Sequence, residues 1–270
     1  MATKILARSR VDVHRPLLPR PLVGPAWDAV RDQAFATTRL DVGSPAHFLY
    51  PTPMTALQPA ITAYAAASFT PGRPVLEAAF DLTCRIRVDF AYDPKSTEVS
   101  TPAIEAFTAR RGVCQDFAHI MIAICRSWGI PTRYVSGYLF TDRQHHDRSD
   151  PDATHAWIEV FLPTLRWTGF DPTNNTLTGE RHIAVAVGRD YADVTPSLGV
   201  YKGEADSHLS VAVAVARAKA ARDRERTLLE AEVQRRLALP PDQWEPVAAL
   251  GTFTASARAH LTRLQSGRKG

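Results

Sequence analysis

The chain has 270 residues, 45% hydrophobic and 22% charged, a composition that excludes a disordered or collagen-like protein. Its formal net charge of +4 is a signal that nucleic-acid or membrane-surface partners share, and the first of these would bind through the basic C-terminal helix. Residues 216–270 hold 11 Lys and Arg against 6 Asp and Glu, whereas the preceding residues hold 21 and 22. The positive charge therefore belongs to a C-terminal tail in which both signs alternate, and we expect no nucleic-acid binding.

The sequence has no pattern typical of a membrane-spanning, secreted or disulfide-stabilised protein. Its apolar runs are far shorter than the roughly 18 residues of a membrane helix, and its basic N-terminus has no apolar signal segment. Its three cysteines, Cys84, Cys114 and Cys125, are too few and odd in number for a disulfide framework. We therefore expect a cytoplasmic protein with no membrane partner.

The first half of the chain changes from extended to helical. Residues 1–50 are rich in proline near their start, which predicts an extended N-terminal segment with a short helix at 27–35. A shortened β-rich domain is the alternative interpretation of this segment. Beyond it, Pro and Gly signals and apolar spacing predict helices at 57–68, 74–88, 102–110 and 114–128. The last is apolar on more than one stripe, which indicates a buried central helix.

Strand patterns follow the helices. Runs rich in β-branched and aromatic residues predict strands at 132–140, 155–162, 166–170, 183–187 and 209–215. Helices first and strands after them favour an α+β fold, with the central helix packed on an antiparallel sheet. The predicted core is therefore residues 51–215. Residues 216–270 are rich in Ala, Arg and Glu and predict a basic helical tail that could contact a partner protein.

Cys114 opens the predicted central helix. The first turn of a helix has unpaired backbone N–H groups and the positive end of the helix dipole, which stabilise a thiolate. Such a thiolate is a nucleophile when a histidine holds and returns its proton. Cys125 lies 11 residues further along the same helix, and we interpret it, like Cys84, as structural.

Several histidines follow Cys114, and geometry favours His155 as the base. His119 lies about 140° around the same helix, so it points elsewhere and, with Gln115, is expected only to line or support the cleft. His145 and His146 lie in a polar loop. His155 begins a predicted strand at the edge of the sheet that packs on the helix, where it can approach the thiol.

Asp171 is the predicted partner of His155. Centring the hairpin turn on Pro163 places Asp171 directly opposite His155, where Cβ atoms are about 4.5–5.5 Å apart. A carboxylate at that distance can accept the imidazole N–H and fix its tautomer. A shift of one residue in the register would break this arrangement.

Two side-chain sets offer an alternative as metal ligands. One is the loop sequence His145 to Asp147, and the other comprises Cys114, His119 and His155. Neither contains the closely spaced Cys or His pair that is typical of zinc sites. We therefore expect no metal and no cofactor.

Five motifs in order resemble those of bacterial transglutaminase-like proteins: RGVCQDFAH (111–119), GIPTRYVSGY (129–138), THAWIEV (154–160), WTGFDPTN (167–174) and VGRDYADV (187–194). The resemblance implies a papain-like α+β core with Cys114 as nucleophile, His155 as base and Asp171 as its orienting partner. It also implies action on amide bonds, as a peptidase or amidase or by acyl transfer to an amine. Many such relatives carry a longer β-rich N-terminal domain than residues 1–50 can supply.

Two hypotheses follow for the function. The leading one is a cysteine-dependent enzyme that forms a thioester at Cys114 with a peptide or protein substrate, released by water or by an amine acceptor. The alternative is a non-catalytic peptide-binding or scaffolding module with the same fold. The complete set of Cys114, His155 and Asp171 favours the enzyme, because a binding module has little physical reason to keep all three.

Overall fold

The computed structural model describes residues 6–14, 22–38, 40–41, 43–141, 146–150, 152–196, 211–216 and 231–235. The chain divides into two compact units, one of residues 11–215 and one of residues 1–10 with 216–270. In the second unit, residues 231–235 are helical, and the rest of the predicted tail helix lies outside the described residues. His145 and positions 209–210 also lie outside them.

The helices of the larger unit lie mostly where the sequence predicts them: α1 Trp27–Phe35, α2 Pro59–Tyr64, α3 Val75–Asp89, α4 Ala103–Ala109 and α5 Cys114–Ser127. The helix predicted at 57–68 is shorter, because the backbone N–H groups of Ala65, Ala66 and Ser68 bond three residues back and tighten the chain into turns. Short 3₁₀ turns form at Pro45–Phe48 and Tyr191–Val194. In the part of the chain described, no helix has the length and apolar character needed to cross a bilayer.

The strands are β1 Ala91–Tyr92, β2 Arg111–Gly112, β3 Thr132–Leu139, β4 His155–Leu162, β5 Arg166–Asp171, β6 Thr176–Leu177 and β7 His182–Gly188. Five of them form a sheet in the order β6-β5-β4-β3-β7, with every neighbouring pair antiparallel. Strands β1 and β2 form a separate parallel pair. Helix α5 packs on β3 and β4 and is buried along most of its length. The predicted α+β fold, with a central helix on an antiparallel sheet, is confirmed.

One predicted strand is wrong over its described part. Residues 211–215 are not in a strand, although the Val213 N–H donates to the carbonyl of Asp152 at 3.0 Å. A single hydrogen bond to a loop does not form a ladder, so the β-branched pattern at 211–215 does not produce a strand.

The register of the β4–β5 hairpin also differs from the predicted one. Leu162 pairs with Arg166 across a three-residue loop, so the centre of the hairpin is residue 164 and not Pro163. Arg166 has φ 60°, and a left-handed residue is a recurring feature of three-residue hairpin loops. Continuing this register places Asp171 opposite Trp157, so the predicted direct pairing with His155 is wrong. The error is two positions along the strand, and both side chains remain on one face as diagonal neighbours.

Arg126, in the last turn of α5, joins distant parts of the larger unit. Its side chain is only 3% exposed, and burial lowers its pKa to about 10 against the opposing charge of Asp190. Its guanidinium nitrogens donate hydrogen bonds of 2.7–3.2 Å to the carbonyls of Phe48, Tyr50, Thr132 and Arg189 and to the hydroxyl of Thr55. Residues 48–55 are therefore held against the end of the central helix.

Candidate active site

Cys114 is the first residue of α5, and the chain before it is held on both sides. The Asp93 N–H donates to the Gly112 carbonyl at 2.9 Å as part of the β1–β2 pair. The Val113 N–H donates to Asp116 Oδ2 at 2.8 Å and so caps the helix. A Cβ atom on Gly112 would lie 2.7 Å from Asp116, so this approach requires glycine. The position of the thiol is thus set before the helix begins.

Asp116, which accepts this capping hydrogen bond, is itself buried. Burial raises its pKa, while hydrogen bonds from the Thr97 hydroxyl, at 2.6 Å, and from the Val113 N–H oppose that rise.

His155 is the first residue of β4 and is 2% exposed. Its Nε2 lies 2.8 Å from Asp171 Oδ2, and its Nδ1 lies 3.1 Å from the Ser149 hydroxyl. Because a carboxylate only accepts, this pattern assigns a proton to Nε2. Burial alone would lower the pKa of His155, but the charge and hydrogen bond of Asp171, followed by those of Cys114, raise it above its ordinary value.

Asp171 ends β5, is fully buried and is bound by five N–H donors. Its Oδ1 accepts from the backbone N–H groups of Thr173 at 3.0 Å and Asn174 at 3.2 Å. Its Oδ2 accepts from His155, from His182 Nε2 at 3.1 Å and from Asn174 Nδ2 at 2.8 Å. Burial opposes ionisation, yet His155 and His182 lower the pKa of Asp171 well below its ordinary value. The group is therefore a carboxylate at neutral pH.

The loop between β3 and β4 contacts this site through residues 146–150. The Arg148 N–H donates to Asn174 Oδ1 at 2.8 Å, and the Asn174 amide donates to the Ser149 hydroxyl at 3.0 Å. Asp147 forms an ion pair with Arg181 at 2.6 Å. The described part of the loop is thus attached to the end of β5, and the Ser149 hydroxyl lies at hydrogen-bond distance from the His155 imidazole.

Tyr92, in β1, borders the thiol on another side. Burial, together with the charges of Cys114 and Asp150, raises its pKa to about 12. The aromatic ring of Tyr92 is half-buried and packs against Phe117 of α5 at 6.4 Å between centroids.

Gln115 and His119 support the surrounding structure. The Gln115 amide donates to the Val99 carbonyl at 2.8 Å. His119 is buried, and burial lowers its pKa to about 4, while its Nε2 accepts the Tyr191 N–H at 3.1 Å. His119 therefore stays neutral and turns away from Cys114, so the set of Cys114, His119 and His155 weighed as metal ligands is not brought together.

Within the described residues, one group of potential ligand atoms converges to within 4.8 Å: those of His155, Asp171 and His182. These atoms already bind one another, because each imidazole Nε2 lies at hydrogen-bond distance from Asp171 Oδ2. The Gly179 N–H donates to His182 Nδ1 at 3.2 Å, which assigns the remaining proton of that ring to Nε2. The cluster is thus a hydrogen-bonded chain.

Sequence reasoning did not single out four residues of this site: Tyr92, Ser149, Asn174 and His182. Asn174 stands in the motif that contains Asp171, and its amide could have been noticed there. His182 lies one position before the predicted strand 183–187. Tyr92 and Ser149 reach the site only through the tertiary fold, so no local signal marks them.

Sequence comparisons agree with this fold. The family model described as the transglutaminase-like superfamily matches residues 62–172. An uncharacterized protein of Mycobacterium tuberculosis is 42% identical over 223 residues, which cover 77% of this chain and 68% of that protein. A protein-glutamine gamma-glutamyltransferase of Pseudomonas aeruginosa is 30% identical over 89 residues, which cover 31% of this chain and 13% of that enzyme.

A crystal structure of a proposed cysteine protease from Cytophaga hutchinsonii is also similar, with 32% identity and a TM-score of 0.49. The match covers 58% of this chain and 50% of that one, so this chain spans half the length of that protein. The molecule is thus an α+β protein with a thiol at the start of its central helix and an imidazole–carboxylate pair on its sheet. It belongs to the transglutaminase-like superfamily.

Proposed function

We propose that this protein is a cysteine-dependent enzyme that attacks peptide or glutamine-type amide bonds and forms a thioester at Cys114. The observation that carries the proposal is the 2.8 Å hydrogen bond between His155 Nε2 and Asp171 Oδ2, together with the influence of Cys114 on the same imidazole. A buried carboxylate that holds one ring nitrogen fixes the tautomer and orients the other nitrogen toward a nucleophile. The likeness to a protein-glutamine gamma-glutamyltransferase over 89 residues supports this chemistry.

The reaction has two stages in this proposal. The Cys114 thiolate attacks the amide carbonyl carbon, the C–N bond breaks, and the leaving amine takes a proton from the His155 imidazolium. The thioester then meets water or an amine, whose proton passes to His155 as the new bond to the acyl carbon forms. The C–S bond breaks last, and the thiolate and imidazolium are restored. Asp171 stabilises the imidazolium throughout and does not itself exchange a proton.

The backbone N–H of Cys114 is the proposed donor to the carbonyl oxygen as it becomes negatively charged. It lies in the first turn of α5, where N–H groups and the helix dipole favour negative charge. The Gln115 amide is engaged by the Val99 carbonyl and is not assigned this role.

Thiol labelling tests the nucleophile. Cys125 is fully buried, and burial raises its pKa to about 12, while burial also raises the pKa of the half-buried Cys84. We expect iodoacetamide at neutral pH to modify Cys114 first, as read by mass spectrometry of the intact chain and its peptides. A Cys114 that is no more reactive than Cys84 would contradict the proposal.

Turnover separates the enzyme from a peptide-binding module. The full chain is incubated with a library of glutamine-containing and other peptides, with and without a primary amine, and mass spectrometry detects hydrolysis and transfer. C114A is expected to lose both, and C84A is the matched control that keeps them. Peptide binding that survives in C114A, without turnover in the wild type, would favour the binding module.

We further propose a cytoplasmic location and a protein partner for the tail at 216–270. The first is supported by the three cysteines, which are all free thiols. Fractionation of cells that express the natural full-length protein tests the location, and recovery in a secreted or periplasmic fraction would exclude it.

A further inference from the structure

His182 contacts the proposed catalytic pair from the strand at the opposite edge of the sheet. It begins β7, which pairs with β3, while His155 and Asp171 belong to β4 and β5. Its Nε2 nevertheless lies 3.1 Å from Asp171 Oδ2, and its side chain is almost completely buried. The indole of Trp157 packs edge-on against it at 5.3 Å between centroids and holds the ring in place.

The space for this arrangement depends on Gly137 of β3. A Cβ atom at Gly137 would lie 2.6 Å from the Trp157 ring, so a larger residue would displace the indole from the space beside His182. The β3–β7 register also shifts at this point, between Ser136 and Gly137. Gly137 therefore leaves room for the indole that packs against His182.

His182 is a neutral donor in this position. Its Nδ1 accepts the Gly179 N–H at 3.2 Å, which assigns its single proton to Nε2, facing Asp171. Burial lowers the pKa of His182, and the charges of His155 and Arg181 lower it further against the opposing effect of Asp171. The charged and titratable groups that face it are therefore Asp171, His155 and Arg181.

A neutral donor changes what the carboxylate does to His155. Asp171 Oδ2 is the oxygen that binds His155, and it shares its lone pairs with His182 and with the Asn174 amide. Each hydrogen bond from a neutral group stabilises the carboxylate and weakens its attraction for the His155 proton. Without such donors the imidazolium would be held more strongly and would release its proton to the leaving amine less readily.

We propose that His182 is a positioning residue whose neutral Nε2–H orients the Asp171 carboxylate and limits how tightly that carboxylate holds the His155 proton. The inference rests on the proposed function, in which His155 and Asp171 serve Cys114. It goes beyond that function because it assigns a role to a second histidine, His182, which acts on Asp171 and exchanges no proton with the substrate.

The test compares two substitutions in the full chain. H182Q retains a neutral N–H donor of similar reach, and H182M fills the space without a donor. In ¹⁵N NMR titrations, His155 is expected to titrate about half a pH unit or more higher in H182M than in the wild type. H182Q is expected to match the wild type. Equal His155 titration in all three proteins, or equal shifts in both variants, would overturn the proposal.

Kinetics supply the second readout. In H182M the alkaline limb of the kcat/KM profile for amide turnover is expected to move to higher pH, with kcat lowered several-fold and KM unchanged. A purely structural role would lower the melting temperature of both variants without moving that limb. If the wild-type protein turns over no amide, the proposed function fails, while the NMR titration of His155 still decides the role of His182.

Two measurements need no variant that could fail to fold. The ¹⁵N shifts of wild-type His182 are expected to report a neutral ring with its proton on Nε2 from pH 7 to pH 9, and a proton on Nδ1 would overturn the proposal. Dialysis against EDTA is expected to leave the His155 titration unchanged. A change would show that the three side chains hold an ion instead.

Discussion

Asn174 is bound to Asp171 twice, by its backbone N–H to Oδ1 at 3.2 Å and by its side-chain amide to Oδ2 at 2.8 Å. The same side chain accepts the Arg148 N–H and donates to the Ser149 hydroxyl. One residue therefore connects the carboxylate of the proposed catalytic pair to the loop at 146–150.

Replacing Asn174 by alanine should loosen both connections. N174A removes the three side-chain hydrogen bonds to Asp171, Ser149 and Arg148, and we expect it to lower kcat/KM for amide turnover by about tenfold. Trypsin should also cut after Arg148 faster than in the wild type. The matched control is N175G at the exposed neighbour, whose φ of 53° suits glycine. Identical kinetics and cleavage in N174A and N175G would exclude this role.

Asp171 should control the pH range of activity. The folded pKa of His155 is raised, so its imidazolium persists above the ordinary value of about 6.5 and is lost as the pH rises further. Removing the carboxylate in D171N should move the alkaline limb of kcat/KM to lower pH and reduce the rate at neutral pH by about 10²–10⁴-fold. D152N, at an exposed carboxylate nearby in the chain, is the control. An unmoved alkaline limb in D171N would contradict the assignment.

His119 should make the fold sensitive to acid. Its folded pKa is lowered to about 4 by burial, whereas the unfolded chain has the ordinary value of about 6.5. Between these values the unfolded state binds more protons, so the free energy of unfolding falls as the pH falls, by up to about 3 kcal/mol. H119Q can still accept the Tyr191 N–H but cannot titrate. Urea unfolding from pH 4 to pH 7 should show a shallower loss in H119Q, and parallel curves would refute the prediction.

Arg126 should be important for stability and not for chemistry. R126M leaves the carbonyls of Phe48, Tyr50, Thr132 and Arg189 without their donor, and we expect a loss of about 3–5 kcal/mol in the free energy of unfolding. R111M, at an exposed arginine, should change stability by less than about 0.5 kcal/mol. Denaturant unfolding measures both, and equal stabilities would contradict the prediction.

Local signals in the sequence were sufficient for the central elements. The helix from Cys114 and the strand from His155 have clear ends and strong patterns, so both were predicted to within one residue. The pairing of His155 with Asp171 was predicted on the right face but in the wrong register. The reason is that a hairpin register depends on the loop length and on the backbone of Arg166, which composition does not reveal.

The remainder depended on contacts between distant segments. Strands β1, β2 and β6 have two residues each, too few to show a period. His182 begins β7, which two strands separate from the β5 strand of Asp171, and Ser149 reaches His155 from a loop, so neither contact follows from sequence spacing. The helix predicted at 57–68 was too long, because the chain tightens into turns after Tyr64 and the alanines there are equally compatible with a helix.

The hydrogen-bond acceptors of Arg126 are spread along the chain, and their positions limit how early the core can form during synthesis. They lie at Phe48, Tyr50 and Thr55 on one side of it in the chain and at Thr132 and Arg189 on the other. A polypeptide leaves the ribosome N-terminus first, so the guanidinium cannot be fully satisfied until residue 189 has emerged. Until then burial would leave the Arg126 cation incompletely paired, so the side chain is expected to stay hydrated and the final packing of α5 to be a late event.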